Sequence, residues 1–408
     1  MEGKKSPTDR LKISKFKLDA LLDITLSINA NLPTEDLLSK YEKVLRNNLG
    51  IGKILIFKRS GNWECLLNAG FPEQFEKINV EERLLNIKEI VFVSPELGFE
   101  GVDIIVPVYN NNVHLAFVFI GDIEEEREGM SPVLKHLNFI QTISSIIIVA
   151  IENIRLFNES LRQEAFKKEL ELAARMQKML IPDNSRMPKS PKVIVNGFYY
   201  PHYEVGGDYY DCIKLSETKT GFCIADVSGK GISAAILMSN FQASLRALLT
   251  YDINLESLIT KLNSIVMANA EGEKFITFFV ARYDHETGLL EYINAAHNPP
   301  VLYDTVTGEI RHLQACCVGL GMLDEIPILE KSEILIRNYS KIVCYTDGLS
   351  ELKGDDGKDI GTKVIIRYIS NTRSVESNIR GMIKELGLPD DNPSTFDDVS
   401  IIVADLIR

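Results

Sequence analysis

Four acidic stretches in the second half of this 408-residue chain set aspartates beside glycine or serine at the ends of apolar runs. They are Glu204-Val205-Gly206-Gly207-Asp208-Tyr209-Tyr210-Asp211, Ile224-Ala225-Asp226-Val227-Ser228-Gly229-Lys230-Gly231, Cys344-Tyr345-Thr346-Asp347-Gly348 and Phe396-Asp397-Asp398-Val399-Ser400. Aspartate is depleted in strand interiors, so its recurrence at strand edges needs a reason. Taken singly, each stretch reads as an ordinary turn. Taken together, they predict a cluster of carboxylates, which repel one another unless protons or cations neutralise them. Donors that are all oxygen suit Mg²⁺ or Mn²⁺ rather than Zn²⁺ or Cu²⁺. Gly206 and Gly207 lack the Cβ that would keep the backbone before Asp208 from approaching its neighbours.

The order EVGGDYYD, ADVSGKGISAA, NAAHNPP, YTDGLSE and FDDVSIIV resembles the metal-dependent PPM serine/threonine phosphatases. It is most similar to their bacterial, SpoIIE-like branch, over about residues 190 to 408. The resemblance implies hydrolysis of phosphoserine or phosphothreonine in a regulatory protein of the anti-anti-sigma kind, by water activated between two Mn²⁺ or Mg²⁺ ions. It implies that Asp208 and Asp226 are the catalytic residues and bridge both ions. The carbonyl of Val227 adds an oxygen, and Asp347 and Asp397 complete the second ion's shell. Asp398 is expected beside the ligands rather than among them. Eukaryotic relatives carry a histidine general acid where this chain has Ser228, so the general acid stays open. Lys230 reads as a solvated loop lysine, with attraction of phosphate as the alternative. His297 reads as a hydrogen-bonded structural side chain, with a role behind the ligands as the alternative, and His202 as structural or surface. No phosphoenzyme is required, and none of the cysteines sits in a phosphate-loop pattern.

The elements that must position these groups follow from hydrophobic period. Alternating runs predict strands at Val193 to Tyr200, Asp208 to Leu215, Gly221 to Val227, Phe275 to Tyr283, Leu289 to Asn294, Pro300 to Tyr303, Glu309 to Leu313, Glu333 to Ile336, Lys341 to Tyr345 and Val399 to Leu406. Helices are predicted at Ile232 to Leu249, Leu255 to Ala270, Thr362 to Ser370 and Val375 to Leu386. Many antiparallel strands with paired helices predict a β-sandwich flanked by helices, which in the resembled family is an α-β-β-α sandwich. The N-terminal part reads as helices over 14 to 30 and from Pro33 to about Asn48. Strands follow at Lys53 to Lys58, Trp63 to Asn68, Asp103 to Tyr109 and Val113 to Ile120, with a turn at Asn110-Asn111-Asn112. This pattern resembles a GAF-type sensor domain.

The fold class is therefore α+β, with a GAF-like α/β sensor domain over 14–155, a helical linker over 156–185 and a phosphatase domain over 190–408. A long helix is predicted over about 132 to 180, ended by Pro182, and its later part carries Ile154, Phe157, Leu161, Ala165, Leu172, Met176 and Met179 as an apolar stripe on a charged rod. A helix packed on its own domains and a parallel coiled coil pairing two protomers both fit it. The second reading makes the protein a homodimer through the sensor domain and linker.

A net charge of −12 disfavours nucleic acid and anionic membrane surfaces as partners. Cys65, Cys212, Cys223, Cys316, Cys317 and Cys344 form no CxxC pair, so a reducing, cytoplasmic setting without a disulfide framework is expected. The start of the chain lacks the apolar core of a signal peptide, and the stretch Ile140 to Ile151 is too short to span a bilayer. Among Cys65, His114 and His136 no motif suggests a covalent chromophore. Two rival functions remain. One is a non-catalytic dimeric phosphoprotein-binding scaffold. The other is a diguanylate cyclase, since Gly206-Gly207-Asp208 shares its letters with the GGDEF signature; that reading leaves Asp226, Asp347 and Asp397 without a role.

Overall fold

The computed structural model describes residues 7–94, 97–110, 113–123, 132–188, 190–202, 205–250, 252–352, 361–388 and 397–407. Glu204, Phe396 and the Asn111-Asn112 turn lie outside the described residues. The chain divides into two units, Met1–Ala165 and Phe166–Arg408.

In the first unit, helices α1 (Pro7–Asn29) and α2 (Thr34–Lys43) precede strands β1 (Ile51–Ser60) and β2 (Asn62–Ala69). A one-turn helix α3 (Val80–Arg83) and strands β3 (Val91–Phe92), β4 (Ile104–Asn110) and β5 (Val113–Ile123) follow, and then the long helix α4 (Pro132–Lys178) begins. The strands form one antiparallel sheet in the order β2-β1-β5-β4-β3. Side chains of β1 alternate between two cores, as a period of two dictates. Ile54 and Ile56 pack with Ile24, Leu37, Tyr41, Ile143 and Ile147 of the helices. Leu55 and Phe57 face the opposite cluster, with Phe71, Phe75 and Phe99. A buried ion pair, Lys58 Nζ to Glu152 Oε2 at 2.6 Å, joins β1 to α4. The helix expected to reach Asn48 is α-helical only to Lys43 and widens into a π turn over Val44–Asn48.

The stretch Ile140 to Ile151 needs a correction. It belongs to a helix that, by length and composition, is long and apolar enough to cross a membrane, with half of the apolar window buried in the structure. The apolarity has a packing cause: Ile140, Ile143, Ile147, Ile148 and Ile151 fill the core of the first unit.

The second unit begins within α4. It continues with β6 (Val193–Tyr200), β7 (Tyr209–Lys214), β8 (Lys219–Val227), α5 (Ile232–Leu248), α6 (Leu255–Ala270), β9 (Ile276–Asp284) and β10 (Leu289–Ala295). Then come β11 (Val301–Asp304), β12 (Ile310–His312), β13 (Ser332–Leu335), β14 (Ser340–Tyr345), a single turn α7 (Asp347–Ser350), α8 (Gly361–Ile369), α9 (Val375–Glu385) and β15 (Val399–Leu406). Two five-stranded sheets result, β13-β10-β9-β8-β7 and β12-β11-β14-β15-β6.

Period two again decides the layers. On β14 and β15, Ile342, Cys344, Ile402 and Ala404 join the core that contains Phe222, Ile224 and Phe279 of the first sheet. Val343, Tyr345, Ile401 and Val403 face outward, onto Ile365, Ile369 and Met382 of α8 and α9. Helices α5 and α6 pack Phe241, Leu245, Leu258 and Leu262 on the first sheet. The layers therefore run helix, sheet, sheet, helix, as the sequence predicts for this half.

Candidate metal centre

The acidic residues sit where strands of both sheets end. Asp208 leads into β7 and Asp226 lies near the end of β8, on one sheet. Asp347 opens α7 directly after β14, and Asp397 and Asp398 lead into β15, on the other sheet. Four distant pieces of sequence thus meet at one mouth of the two sheets, and backbone close approaches hold them there. A Cβ on Gly207 would stand 2.9 Å from the Val227 carbonyl oxygen, so the absence of that atom lets the first stretch lie against the second. At Gly348 a Cβ would run into the carbonyl of Asp398, so the third and fourth stretches touch only because that residue is glycine.

Electrostatics report the same convergence. Asp208 is 1% exposed. Burial first, then the charges of Asp226 and Asp398, hold its carboxyl well above the usual carboxylate range. Burial and the charges of Asp347, Asp397 and Asp398 raise Asp226. Asp347 is raised by burial, Asp397 and Glu351. Asp208, Asp226, Asp347 and Asp397 are therefore neighbours, with Asp398 among them.

They are neighbours rather than a closed cage: among the described residues no group of three His, Cys, Asp or Glu side chains is placed to hold an ion. The donor chemistry nevertheless fits divalent ions. Every predicted donor is an oxygen, the carboxylates are costly to bury charged on their own, and the Val227 carbonyl borders the same space.

Several contacts were not legible in the motifs. Asp398 acts as a clamp, accepting from the backbone N–H of His202 on Oδ1 at 2.8 Å and of Gly207 on Oδ2 at 2.7 Å. Thr346 donates its hydroxyl to Asp208 Oδ2 at 2.8 Å and accepts the Ser400 N–H at 2.9 Å. It lies inside the third motif, between two residues that draw more attention. Gln177, near the end of α4, is buried and brackets Gly206: its Nε2 donates to the Gly206 carbonyl at 2.5 Å and its Oε1 accepts the Gly206 N–H at 3.1 Å. Nothing in the linker's sequence marks Gln177, because a glutamine on a charged helix reads as solvent-facing.

Lys230 is an exposed loop lysine whose Nζ pairs with Asp397 Oδ2 at 3.0 Å. Glycine at 229 and 231, both at positive φ, curls the loop that carries it. Ser228 is tied into the scaffold, with its Oγ accepting the Phe275 N–H at 2.9 Å and its carbonyl accepting from Lys274 Nζ at 3.0 Å. Burial raises the thiols of Cys212, Cys223 and Cys344, the opposite of what a nucleophile needs.

Ala296, in the turn before His297, holds φ 53°, in the left-handed region. That strain costs an L-residue about 1 to 2 kcal/mol. Ala296→Gly releases it, at an unfolded-state entropy cost of about 0.4 to 1 kcal/mol. The variant is expected to raise the melting temperature by up to about 4 °C, measured by calorimetry; a fall would show that Ala296 is unstrained in solution.

Comparisons with known proteins place the second half of the chain beside phosphatases. The profile of the Stage II sporulation protein E (SpoIIE) family matches residues 216–407. Phosphoserine phosphatase RsbU of Bacillus subtilis is 29% identical over 195 residues, covering 48% of this chain and 57% of RsbU. Phosphoserine phosphatase RsbP of the same organism is 25% identical over 189 residues, covering 45% of this chain and 46% of RsbP. The chain therefore spans about half the length of these relatives. The PP2C domain of SiaA from Pseudomonas aeruginosa aligns with a TM-score of 0.50 at 15% identity, over 59% of this chain and 97% of that domain, a likeness of fold.

Proposed function

We propose that this chain, which carries a SpoIIE-family PPM phosphatase domain, is a metal-dependent protein serine/threonine phosphatase. The observation that carries the reading is the meeting of Asp208, Asp226, Asp347 and Asp397 at the ends of strands from two sheets. In this proposal Asp208 and Asp226 bind both of two Mn²⁺ or Mg²⁺ ions, the Val227 carbonyl supplies a further oxygen, and Asp347 and Asp397 hold the second. Bound there, the ions supply a water of lowered pKa and offset charge on the phosphoryl oxygens. Thr346 fixes the rotamer of Asp208 through its hydroxyl. Asp398 fixes the backbone that presents Asp208. Lys230, paired with Asp397 at the rim, supplies positive charge where a phosphoryl group would enter.

The proposed substrate is a phosphorylated regulatory protein of the anti-anti-sigma kind, as the family resemblance implies; that RsbU and RsbP are named phosphoserine phosphatases supports the phosphoserine part of this reading. The proposed setting is the cytoplasm. Release of phosphate from a phosphoserine protein on addition of Mn²⁺ tests the activity. Stoichiometric binding without turnover would favour a scaffold, and cyclic dinucleotide made from GTP would favour a cyclase.

The proposed organisation is a GAF-like sensor over 14–155, a linker over 156–185 and a phosphatase domain over 190–408. A five-stranded antiparallel sheet with helices on one face supports the first assignment. In the linker, Leu172, Met176 and Met179 are 59%, 63% and 69% exposed, which supports pairing of two protomers along this face. Gln177 gives the same helix a direct hold on the backbone before Asp208, so a signal that moves the linker acts on that aspartate. Replacing Leu172 and Met176 together by Asp is expected to convert the dimer to monomer in sedimentation and to change the phosphatase rate. If neither changes, linker pairing and linker control are both wrong.

A further inference from the structure

His297 lies between the two sheets and outside every ligand assignment above. It is 3% exposed, on the turn after β10. That turn is held firmly: the His297 N–H donates to Asn294 Oδ1 at 2.8 Å, and Asn294 Nδ2 donates to the Leu313 carbonyl at 2.9 Å. The positive φ of Ala296 adds strain at the preceding residue, and strain of this kind persists only where the surroundings over-determine it.

The imidazole has two neighbours, one from each sheet. Its Nδ1 is 2.9 Å from Thr277 Oγ1. Thr277, on β9, is the direct cross-strand partner of Asp226 on β8. Directly paired residues of an antiparallel ladder project on the same face with Cβ atoms about 4.5 to 5.5 Å apart. The ring also lies beside the backbone carbonyl of Tyr345, at the end of β14 and two residues before Asp347. Nε2 has no hydrogen-bond partner of good geometry among the described residues. Burial lowers the imidazole to about 4, so the ring is neutral at physiological pH and adds no charge to the acidic cluster.

We infer that His297 is a positioning residue that sets Asp226 through Thr277, a link that fixes the first sheet's half of the metal centre. A neutral ring suits this role, because its Nδ1 can share a hydrogen bond with the Thr277 hydroxyl without adding charge beside the carboxylates. The link presupposes the metal-dependent reading of the site. It separates from that reading because it concerns only how tightly the site is pre-organised.

The test is divalent binding to the full chain by calorimetry with Mn²⁺ and no substrate, alongside turnover and melting temperature. Glutamine in place of His297 keeps a polar atom where Nε2 stands and loses the one at Nδ1, whereas asparagine keeps the Nδ1 position. His297→Gln and Thr277→Val are each expected to weaken Mn²⁺ binding by about tenfold while the melting temperature stays within a few degrees. His297→Asn is expected to restore binding to within about threefold of the parent. The Gln/Val double variant should be no worse than either single change, because both remove one link. Binding within twofold of the parent in Thr277→Val, or losses that multiply in the double variant, would overturn the inference. Should His297→Gln fail to fold, Thr277→Val decides alone, since it removes only a hydroxyl from a partly buried strand position. If the parent protein takes up no Mn²⁺ at all, the phosphatase reading fails, which is a different result.

Discussion

Asp226→Asn is expected to reduce Mn²⁺-dependent release of phosphate by on the order of 10³-fold or more, since losing even one transition-state hydrogen-bond donor costs about 10² to 10³. The amide matches the carboxylate in size but carries no charge and offers one acceptor oxygen instead of two. The same substitution is expected to stabilise the metal-free protein. Folded Asp226 and Asp208 hold protons more tightly than they would in the unfolded chain, through burial and neighbouring carboxylates. Their contribution is therefore fully present below the ordinary carboxylate range and is lost as pH rises through the raised folded values. The Asp226→Asn change removes one of these groups and one charge acting on the other. Melting curves without metal should thus fall less steeply with pH in the variant, while added Mn²⁺ should stabilise it less than the parent. Undiminished activity in Asp226→Asn would remove the metal role.

Asp398→Ala is expected to be the most damaging change at a residue outside the proposed ligand set. Its two oxygens accept the N–H groups of His202 and Gly207, and the alanine leaves both donors without their acceptor. The Gly207 N–H is buried, and an unsatisfied buried donor costs about 1 to 3 kcal/mol, whereas the half-buried His202 N–H can turn to water. A loss of roughly 1 to 3 kcal/mol lowers the melting temperature of a unit this size by about 2 to 12 °C. Asp208 follows directly on the backbone that is released, so turnover should fall with stability. Asp398→Asn separates clamp from ligand. It keeps one acceptor, so stability should be intermediate and Mn²⁺ affinity should stay closer to the parent than in Asp226→Asn. If Asp398→Asn loses Mn²⁺ as completely as Asp226→Asn, then Asp398 is itself a ligand.

The strands that carry the site are legible in the sequence because they are short apolar, β-branched and aromatic runs bounded by turn residues. Val193–Tyr200 and Val399–Leu406 run as predicted to the residue, and most others lie within two positions. Less legible are the elements too short to show a period: α3, β3 and α7 span 4, 2 and 4 residues. The long helix expected over about 132 to 180 runs from Pro132 to Lys178, because Pro182 supplies the breaker that ends it. Asp398 is read in the sequence only as the neighbour of Asp397, and the partners it holds, His202 and Gly207, lie nearly two hundred positions away. The contacts of Gln177 and Lys230 are not legible for a shared reason: a polar residue on a charged helix or a glycine loop carries no local sign of what it meets.

Residue types and order alone determined that several aspartates stand at strand ends, that their donors are oxygens, and that two layers of alternating strands must be covered by helices. These are local properties, set by side-chain chemistry and by the two-residue repeat of an extended chain. Only the tertiary structure decided that Gly348 rests on the Asp398 backbone, that Asp398 holds the Gly207 N–H while standing among the other carboxylates, and that His297 meets Thr277. Such contacts join residues tens to hundreds of positions apart, and their geometry depends on how two twisted sheets are packed, which no run of neighbouring residues encodes.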